Sequence, residues 1–272
     1  MHNKLKTLVS TLNFFSKRLP TLFFSATFLL LFSCAHKQAE TRQKELVFIT
    51  GSHFDEASWD PVIKNLNSAK FVTLSITREG RDPNKPAHLK QIAEAACLKM
   101  HDTSILVAHS FGGATANEIV GTCPNKVVKI IYVSALVPLN QEHPTDILKG
   151  ADQKQYLSAV KIEKDRITPK SKVEFSQILD SELHLDERQL PPVYSESMLN
   201  LADTVTFDQK IYTAIPKYYI YTNLDKIISL ESQKKLASRI VFIGSNSLAS
   251  GHLPMLSKPK ELAQIIDAFT QD

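Results

Sequence analysis

The segment from Ile105 to Gly113 constrains the fold of this chain more than any other, and it reads Ile-Leu-Val-Ala-His-Ser-Phe-Gly-Gly. A short apolar run, typical of a buried strand, is followed directly by a helix-compatible segment. Ser110 lies between them in the pattern small-x-Ser-x-Gly, with Ala108 where the usual pattern has glycine. These flanking residues must be small because neighbouring backbone passes close to them. We therefore predict a strand, a sharp turn that exposes the serine hydroxyl, and a helix, the arrangement called a nucleophile elbow.

The first 33 residues are predicted to be a secretory signal that takes no part in the fold. They carry four basic and no acidic side chains, and residues 21–33 form a 13-residue apolar run. That run is too short to span a bilayer comfortably. It ends in Leu-Phe-Ser-Cys34, which resembles the bacterial lipobox, so we expect a lipid on Cys34 and a membrane-anchored protein of the cell envelope. Ala35 is not the aspartate that retains such proteins at the inner membrane, which favours the outer membrane. A plainly cleaved signal, giving a periplasmic or secreted protein, is the alternative.

Removal of this signal changes what the net charge implies. The whole chain carries +4, and the four basic residues of the signal account for all of it, so the remaining 239 residues have no net charge. We find no polybasic face and predict no nucleic-acid partner. Residues 34–44 are polar and are predicted to be a tether, and residues 45–272 are long enough for one α/β domain.

The alternation of strand and helix patterns predicts a mostly parallel, twisted sheet that is flanked by helices on both faces, an α/β fold. The predicted strands are 45–50, 70–76, the run beginning at Ile105, 127–133, 217–221 and 239–243. The predicted helices are 59–66, 87–100, 111–122, 229–237 and 258–269, and residues 78–86 are a loop. Residues 138–210 are polar, contain several prolines and have no obvious strand, which favours a small helical cap over the site.

The two remaining cysteines, Cys97 and Cys123, lie at or near the ends of predicted helices. Export would permit a disulfide between them, but the sequence gives no distance between the two sulfurs. We favour separate buried thiols and leave the disulfide as the alternative. The cysteines lack paired ligand spacing and the histidines are scattered, so no metal is predicted. No glycine-rich phosphate loop is present, and we predict no cofactor.

A serine hydroxyl needs a base to take its proton, and the base needs an anionic partner that sets its tautomer. Asp225 follows one predicted strand and His252 follows the last, in the chain order serine, aspartate, histidine. In open parallel sheets the ligand lies beyond the carboxyl ends of the strands. We assign Ser110 as nucleophile, His252 as general base and then acid, and Asp225 as the orienting carboxylate. Asp203 and Asp208 are the rival carboxylates.

Acyl transfer also needs two N–H donors for the oxyanion of the tetrahedral intermediate. The backbone amides of Phe111, directly after the nucleophile, and of Ser52, in the loop after the first strand, are the predicted donors. Candidate pocket walls, each of which could equally belong to the core, are Phe111, Leu136, Val137, Leu139 and Leu253.

Four segments together resemble the branch of α/β-hydrolases that includes plant methylesterases, such as methyl salicylate esterase, and hydroxynitrile lyases. They are Phe48-Ile-Thr-Gly-Ser to Trp59, Ala108-His-Ser-Phe-Gly-Gly113, Tyr219-Ile-Tyr-Thr-Asn-Leu-Asp225 and Gly251-His-Leu-Pro-Met-Leu-Ser-Lys-Pro259. The resemblance covers about residues 45–269. It implies an α/β-hydrolase fold, a triad on Ser110, Asp225 and His252, a small helical cap, and compact, largely apolar ester substrates.

Two positions depart from that family. Thr50-Gly51 stands where the family usually has His-Gly, and the glycine and the amide after it are retained. The lyases use a lysine directly after the triad histidine, and Leu253 stands there instead. Hydrolysis of small esters is therefore the expected activity, with a small-molecule ester as the partner. A ligand-binding protein on the same scaffold, and amidase or haloperoxidase-like chemistry, are the alternatives. The sequence leaves the oligomeric state open.

Overall fold

The computed structural model describes residues 44–67, 71–76, 82, 84–101 and 103–271. The predicted signal 1–33, all of the tether before Lys44, the lipidation at Cys34 and part of the loop 78–86 lie outside these residues. Among the described residues, no helix is both long enough and apolar enough to cross a bilayer.

Nine strands lie in the described part of the chain. They are β1 (Lys44–Ile49), β2 (Phe71–Ile76), β3 (Ser104–His109), β4 (Val127–Val133), β5 (Val160–Glu163), β6 (Arg166–Pro169), β7 (Glu196–Ser197), β8 (Lys217–Thr222) and β9 (Gly244–Leu248). Six of them form one sheet in the order β2-β1-β3-β4-β8-β9, and every pairing within it is parallel.

The described α-helices follow the strands in the predicted alternation. They are α1 (Asp60–Ile63), α2 (Leu89–Lys99), α3 (Gly112–Thr122), α4 (Gly150–Ala159), α5 (Lys172–Leu179), α6 (Met198–Leu201), α7 (Gln209–Ala214), α8 (Leu230–Ala237), α9 (Pro254–Ser257) and α10 (Pro259–Phe269). The predicted helix 59–66 is shorter than expected, because a 3₁₀ turn at Glu56–Trp59 precedes α1 and the helix ends at Ile63. The α/β fold with a parallel sheet flanked by helices is confirmed.

The prediction of a last strand at 239–243 is wrong, because β9 begins only at Gly244. In the apolar run before it, Val241 is 82% exposed and Ile243 is 64% exposed. The strand itself is polar and largely exposed, as an edge strand can be, since it pairs only with β8. Hydrophobic periodicity therefore indicated the wrong segment.

The cap, defined here as residues 144–201, contains the expected helices but also a small sheet, so the prediction of a segment without strands is wrong. Strands β5, β6 and β7 pair antiparallel in that order. They are only four, four and two residues long. The two-residue hairpin between β5 and β6 contains Lys164 at φ +53° and no glycine. The usual sequence signal of a tight hairpin is thus missing.

The expectation of two separate thiols is also wrong. Cys97 in the last turn of α2 and Cys123 at the end of α3 form a disulfide. The bond joins α3, the helix that follows the predicted elbow, to α2, which packs against it.

Candidate active site

The turn between β3 and α3 has the geometry expected of a nucleophile elbow. Ser110 adopts φ +53°, a conformation that side chains rarely take and that marks a strained functional turn. Its carbonyl oxygen accepts hydrogen bonds from the N–H groups of Gly113, at 3.1 Å, and Leu136, at 3.0 Å. A Cβ atom on Gly112 would lie 2.7 Å from the Ile49 oxygen, which explains why that position must be glycine. The sequence therefore permits a turn that brings the serine against β1.

The structure brings three of the predicted site residues into one hydrogen-bonded chain. The Ser110 hydroxyl lies 2.8 Å from Nε2 of His252, and Nδ1 of His252 lies 2.7 Å from Oδ2 of Asp225. A carboxylate only accepts hydrogen bonds, so Nδ1 carries the proton. Nε2 is then unprotonated and can accept the serine proton. His252 and Asp225 are buried, and Ser110 is partly exposed.

The Asp225 carboxylate is held in one orientation by hydrogen-bond donors to both of its oxygens, among them Nε2 of Gln233 at 3.5 Å from Oδ2. Its Oδ1 accepts from the N–H groups of Ile227, at 2.8 Å, and Ile228, at 2.9 Å. Its Oδ2 accepts from the Thr222 hydroxyl, at 3.0 Å, and from His252. Because both oxygens have donors of their own, the carboxylate cannot rotate without losing hydrogen bonds.

The rival carboxylates lie elsewhere. Asp203 pairs with the ring of His88, at 2.9 Å, and Asp208 caps the N-terminus of α7. Asp225 is favoured over both by the pairing of β8 with β9, which places Thr222 beside Leu248. The loop that carries Asp225 and the loop that carries His252 therefore begin side by side.

The cap holds the loop that carries His252, a contribution that the sequence analysis missed. The His252 N–H donates to the Leu179 oxygen at 3.0 Å. The Asp180 carboxylate accepts from the Leu253 N–H at 3.3 Å and from the Ser257 hydroxyl at 2.8 Å. Leu179 and Asp180 lie more than 70 positions before this loop, with no local pattern that could have indicated the contact.

A second imidazole lies beside the first. His109 donates from Nε2 to the His252 oxygen at 2.7 Å, and the two ring centroids are 4.8 Å apart. Burial, first, and the neighbouring His252, second, hold the pKa of His109 well below its usual value. His109 is therefore neutral, so a positive charge that forms on His252 does not meet a second one.

A cavity of about 290 Å³ opens over Ser110. Of its 21 lining residues 13 are apolar, and within the described residues none of them is Asp, Glu, Lys or Arg. The cap supplies most of the apolar wall, including Leu148, Leu157, Phe175 and Met198. Among the residues described, no group of three His, Cys, Asp or Glu side chains is placed to hold a metal ion.

The other predicted site residues divide into two groups. Ser52, Phe111 and Leu136 line the cavity together with Ser110. Val137, Leu139 and Leu253 do not line it, so the structure contradicts these three pocket walls. Val137 and Leu253 are buried in the core and Leu139 is half-buried. The Leu136 N–H is bonded to the Ser110 oxygen and keeps that residue at the site, while its neighbours face elsewhere.

Known proteins resemble this chain in sequence and in structure. Methylesterase 7 of Arabidopsis thaliana is 26% identical over 180 residues, which cover 61% of this chain and 68% of that protein. Methyl jasmonate esterase 1 of Vitis vinifera is 22% identical over 262 residues, covering 85% and 98%. The crystal structure of a pyrethroid hydrolase from Sphingobium faniae superposes with a TM-score of 0.74 at 18% identity, covering 84% of this chain and 97% of that one.

The structural likeness agrees with the observed fold, a parallel six-stranded sheet flanked by helices. The model of the alpha/beta hydrolase family matches residues 46–265, most of the chain. This protein therefore belongs to the alpha/beta hydrolase family.

Proposed function

We propose that this protein is a carboxylic ester hydrolase that forms an acyl-enzyme on Ser110. The observation that carries the proposal is the chain of hydrogen bonds from Ser110 through His252 to Asp225, with distances of 2.8 and 2.7 Å, at an apolar cavity. His252 takes the hydroxyl proton through Nε2 as the serine oxygen attacks the ester carbonyl carbon. The same proton then goes to the departing alkoxide, and the ester C–O bond breaks.

The second half of the reaction reverses these roles. Water enters where the alcohol left, and His252 removes its proton as the oxygen attacks the acyl carbon. The Ser110 oxygen departs with the proton from Nε2, which releases the carboxylic acid. Asp225 stabilises the imidazolium in both halves and keeps the proton on Nδ1.

The backbone amides of Ser52 and Phe111 are the proposed donors to the oxyanion. Both residues line the cavity with Ser110. The loop that carries Ser52 runs close to the nucleophile, because a Cβ on Gly51 would lie 2.8 Å from the Ser110 Cβ. Two such donors aimed at the developing charge stabilise it without reorganisation, and each typically contributes about 10²–10³-fold to kcat.

The cavity supports a compact, uncharged and largely apolar substrate. A charged acid or alcohol group would lose its hydration in a cavity lined by 13 apolar residues, with no counter-ion among the described lining residues. The free energy of this desolvation disfavours binding. The relatives named methylesterase and methyl jasmonate esterase support esters of a small alcohol as the class to test first.

The test is hydrolysis of matched pairs of short esters by the purified protein. In each pair one ester is neutral and the other carries a carboxylate. We expect turnover of the neutral esters, a large loss on the charged ones, and loss of turnover in Ser110→Ala. Ser134→Ala is the matched control, since Ser134 also has a positive φ, of +35°, is buried and does not line the cavity. Failure of the wild-type protein to hydrolyse any member of the panel contradicts the proposal, as does full activity in Ser110→Ala.

We also propose that the protein is exported and anchored to a membrane of the cell envelope, with the outer membrane favoured, through a lipid on Cys34. The apolar run 21–33 and the lipobox-like ending support this proposal. Radiolabelled palmitate fed to expressing bacteria should label the wild-type chain and not Cys34→Ser. A wild-type chain that takes up no label would contradict the anchor.

A further inference from the structure

The loop after β1 contacts the cap through several residues. Asp55 accepts from the Tyr194 hydroxyl at 2.9 Å, and His53, which directly follows the proposed oxyanion donor Ser52, makes several hydrogen bonds to the cap. His53 adopts φ +71°, a left-handed conformation that a side chain rarely takes. Such a conformation persists only where surrounding contacts hold it. His53 is also completely buried and lines the cavity. The contacts that hold this strained residue therefore bear on the position of the amide beside it.

Four polar atoms of His53 are bonded to the cap. Its N–H donates to Oε1 of Glu196 at 3.0 Å, and its oxygen accepts from the Tyr194 N–H at 2.8 Å. In the ring, Nδ1 lies 2.8 Å from the Tyr194 oxygen and Nε2 lies 2.7 Å from the Tyr156 hydroxyl. The partners come from two parts of the cap, helix α4 and the segment that ends in β7.

The ring hydrogen bonds have a defined direction. The Tyr194 carbonyl oxygen can only accept, so Nδ1 of His53 carries the proton and donates it. Neutral imidazole then has no proton on Nε2, which accepts from the Tyr156 hydroxyl. The edge of the ring also packs against Phe175 of α5, with centroids 5.2 Å apart. The cap residues thus hold the His53 ring in one rotamer and favour the Nδ1–H tautomer of the neutral ring.

We propose that His53 is a positioning residue that fixes the amide of Ser52 relative to the cap. The cap would then complete the oxyanion site as well as enclose the substrate. Only the Ser52 α-carbon lies between the Ser52 N–H and the peptide that His53 fixes through Glu196. Loss of the ring contacts lets this loop move, and a donor displaced by about 1 Å stabilises the transition state much less. This inference rests on the proposed ester hydrolysis.

Three variants separate the contacts. Asparagine tolerates a left-handed φ and can still donate toward Tyr194, but His53→Asn removes the acceptor for Tyr156. Tyr156→Phe breaks that same hydrogen bond from the cap side. His53→Gly relieves the backbone strain and removes both ring contacts. The controls are His184→Asn, an exposed cap histidine, and Tyr221→Phe, a half-buried tyrosine of β8 that does not line the cavity.

We expect kcat to fall about 10-fold or more in His53→Asn and in Tyr156→Phe, and further in His53→Gly, up to the 10²–10³-fold of a lost oxyanion donor. KM should stay within about twofold, because the donor acts mainly in the transition state. The double variant His53→Asn/Tyr156→Phe should be no slower than the worse single one, since both break one bond. A trifluoromethyl ketone, whose adduct with serine carries an oxyanion, should lose affinity in parallel with kcat.

The outcomes separate the two proposals. A wild-type protein without esterase activity removes the proposed function, and this inference with it. An active wild type whose folded His53→Asn and Tyr156→Phe variants keep kcat within twofold overturns the inference alone. A rise in KM at unchanged kcat, or a lower melting temperature at unchanged kcat, overturns it as well. If His53→Asn does not fold, Tyr156→Phe decides, because that change leaves the loop sequence intact.

Discussion

Replacement of Asp225 by asparagine should move the ring proton of His252 from Nδ1 to Nε2. Oδ1 of Asp225 accepts two backbone N–H groups, from Ile227 and Ile228, at 2.8 and 2.9 Å. An asparagine therefore keeps its oxygen on that side, because the opposite orientation would set its NH₂ group against two backbone N–H groups, which can only donate. On the other side the Thr222 hydroxyl and Nδ1 of His252 can both become acceptors. The NH₂ group then faces Nδ1 of His252, where the carboxylate oxygen lies at 2.7 Å in the wild type.

An NH₂ group donates, so Nδ1 must become the acceptor and the proton moves to Nε2. Nε2 lies 2.8 Å from the Ser110 hydroxyl and, once protonated, can no longer take the serine proton. A wrong histidine tautomer in a triad of this kind costs about 10⁴-fold in kcat, which corresponds to about 5.4 kcal/mol in the barrier. The volume of the side chain is almost unchanged, so we expect folding and KM to be close to those of the wild type.

The assay is steady-state hydrolysis of a short neutral p-nitrophenyl ester, with the melting temperature measured beside it. Asp208→Asn is the matched control: its carboxylate also accepts two backbone N–H groups, those of Lys210 and Ile211, but it lies on an exposed helix cap. That variant should keep wild-type kcat. A folded Asp225→Asn enzyme within tenfold of wild type would refute the assignment of the orienting carboxylate.

Three further changes test other parts of the structure. A Cβ on Gly251 would lie 2.5 Å from Oδ1 and 2.8 Å from Cα of Asp180, so Gly251→Ala should destabilise the fold by about 1–3 kcal/mol and lower kcat. An unchanged melting temperature and rate would contradict the inference that Asp180 holds the loop that carries His252. The disulfide joins residues 26 positions apart. Replacing Cys97 and Cys123 by serine should therefore lower the free energy of unfolding by about 3.5 kcal/mol at unchanged kcat, and an unchanged free energy of unfolding in urea titrations would refute the bond. Because the folded state lowers the pKa of His109, the unfolded state binds more protons below about pH 6.5, and stability is lost as the pH falls through that region by up to about 1.4 kcal/mol per pH unit. His109→Gln should reduce that slope in urea titrations at pH 7.5, 6.0 and 5.0, and an identical slope would show that another group titrates.

The features that the sequence predicts well are local or ordered along the chain. The elbow around Ser110 is specified by its immediate neighbours, since small residues are needed where β3 turns into α3 beside β1. Asp225 and His252 follow from the order of the strands, because each lies just after a strand at the carboxyl edge of the sheet. The parallel sheet itself follows from the regular alternation of apolar strands and helices.

The features that were missed depend on contacts between distant segments. His53 and Asp180 bond to partners more than 70 positions away in the sequence, in the cap and in the histidine loop, and no local pattern indicates these contacts. The cap sheet has short strands and a hairpin without glycine. Strand β9 lies at an edge of the sheet and is polar. The hydrophobic pattern therefore indicated the apolar run at 239–243 as the strand instead.

The central claim is that Ser110 is an activated nucleophile, and the most direct measurement is intact mass after incubation with a fluorophosphonate. The serine oxygen should attack phosphorus and displace fluoride, with its proton passing to His252. We expect one adduct on the wild-type protein and none on Ser110→Ala. A well-folded wild-type protein that gains no adduct would contradict it, and so would equal labelling of the variant.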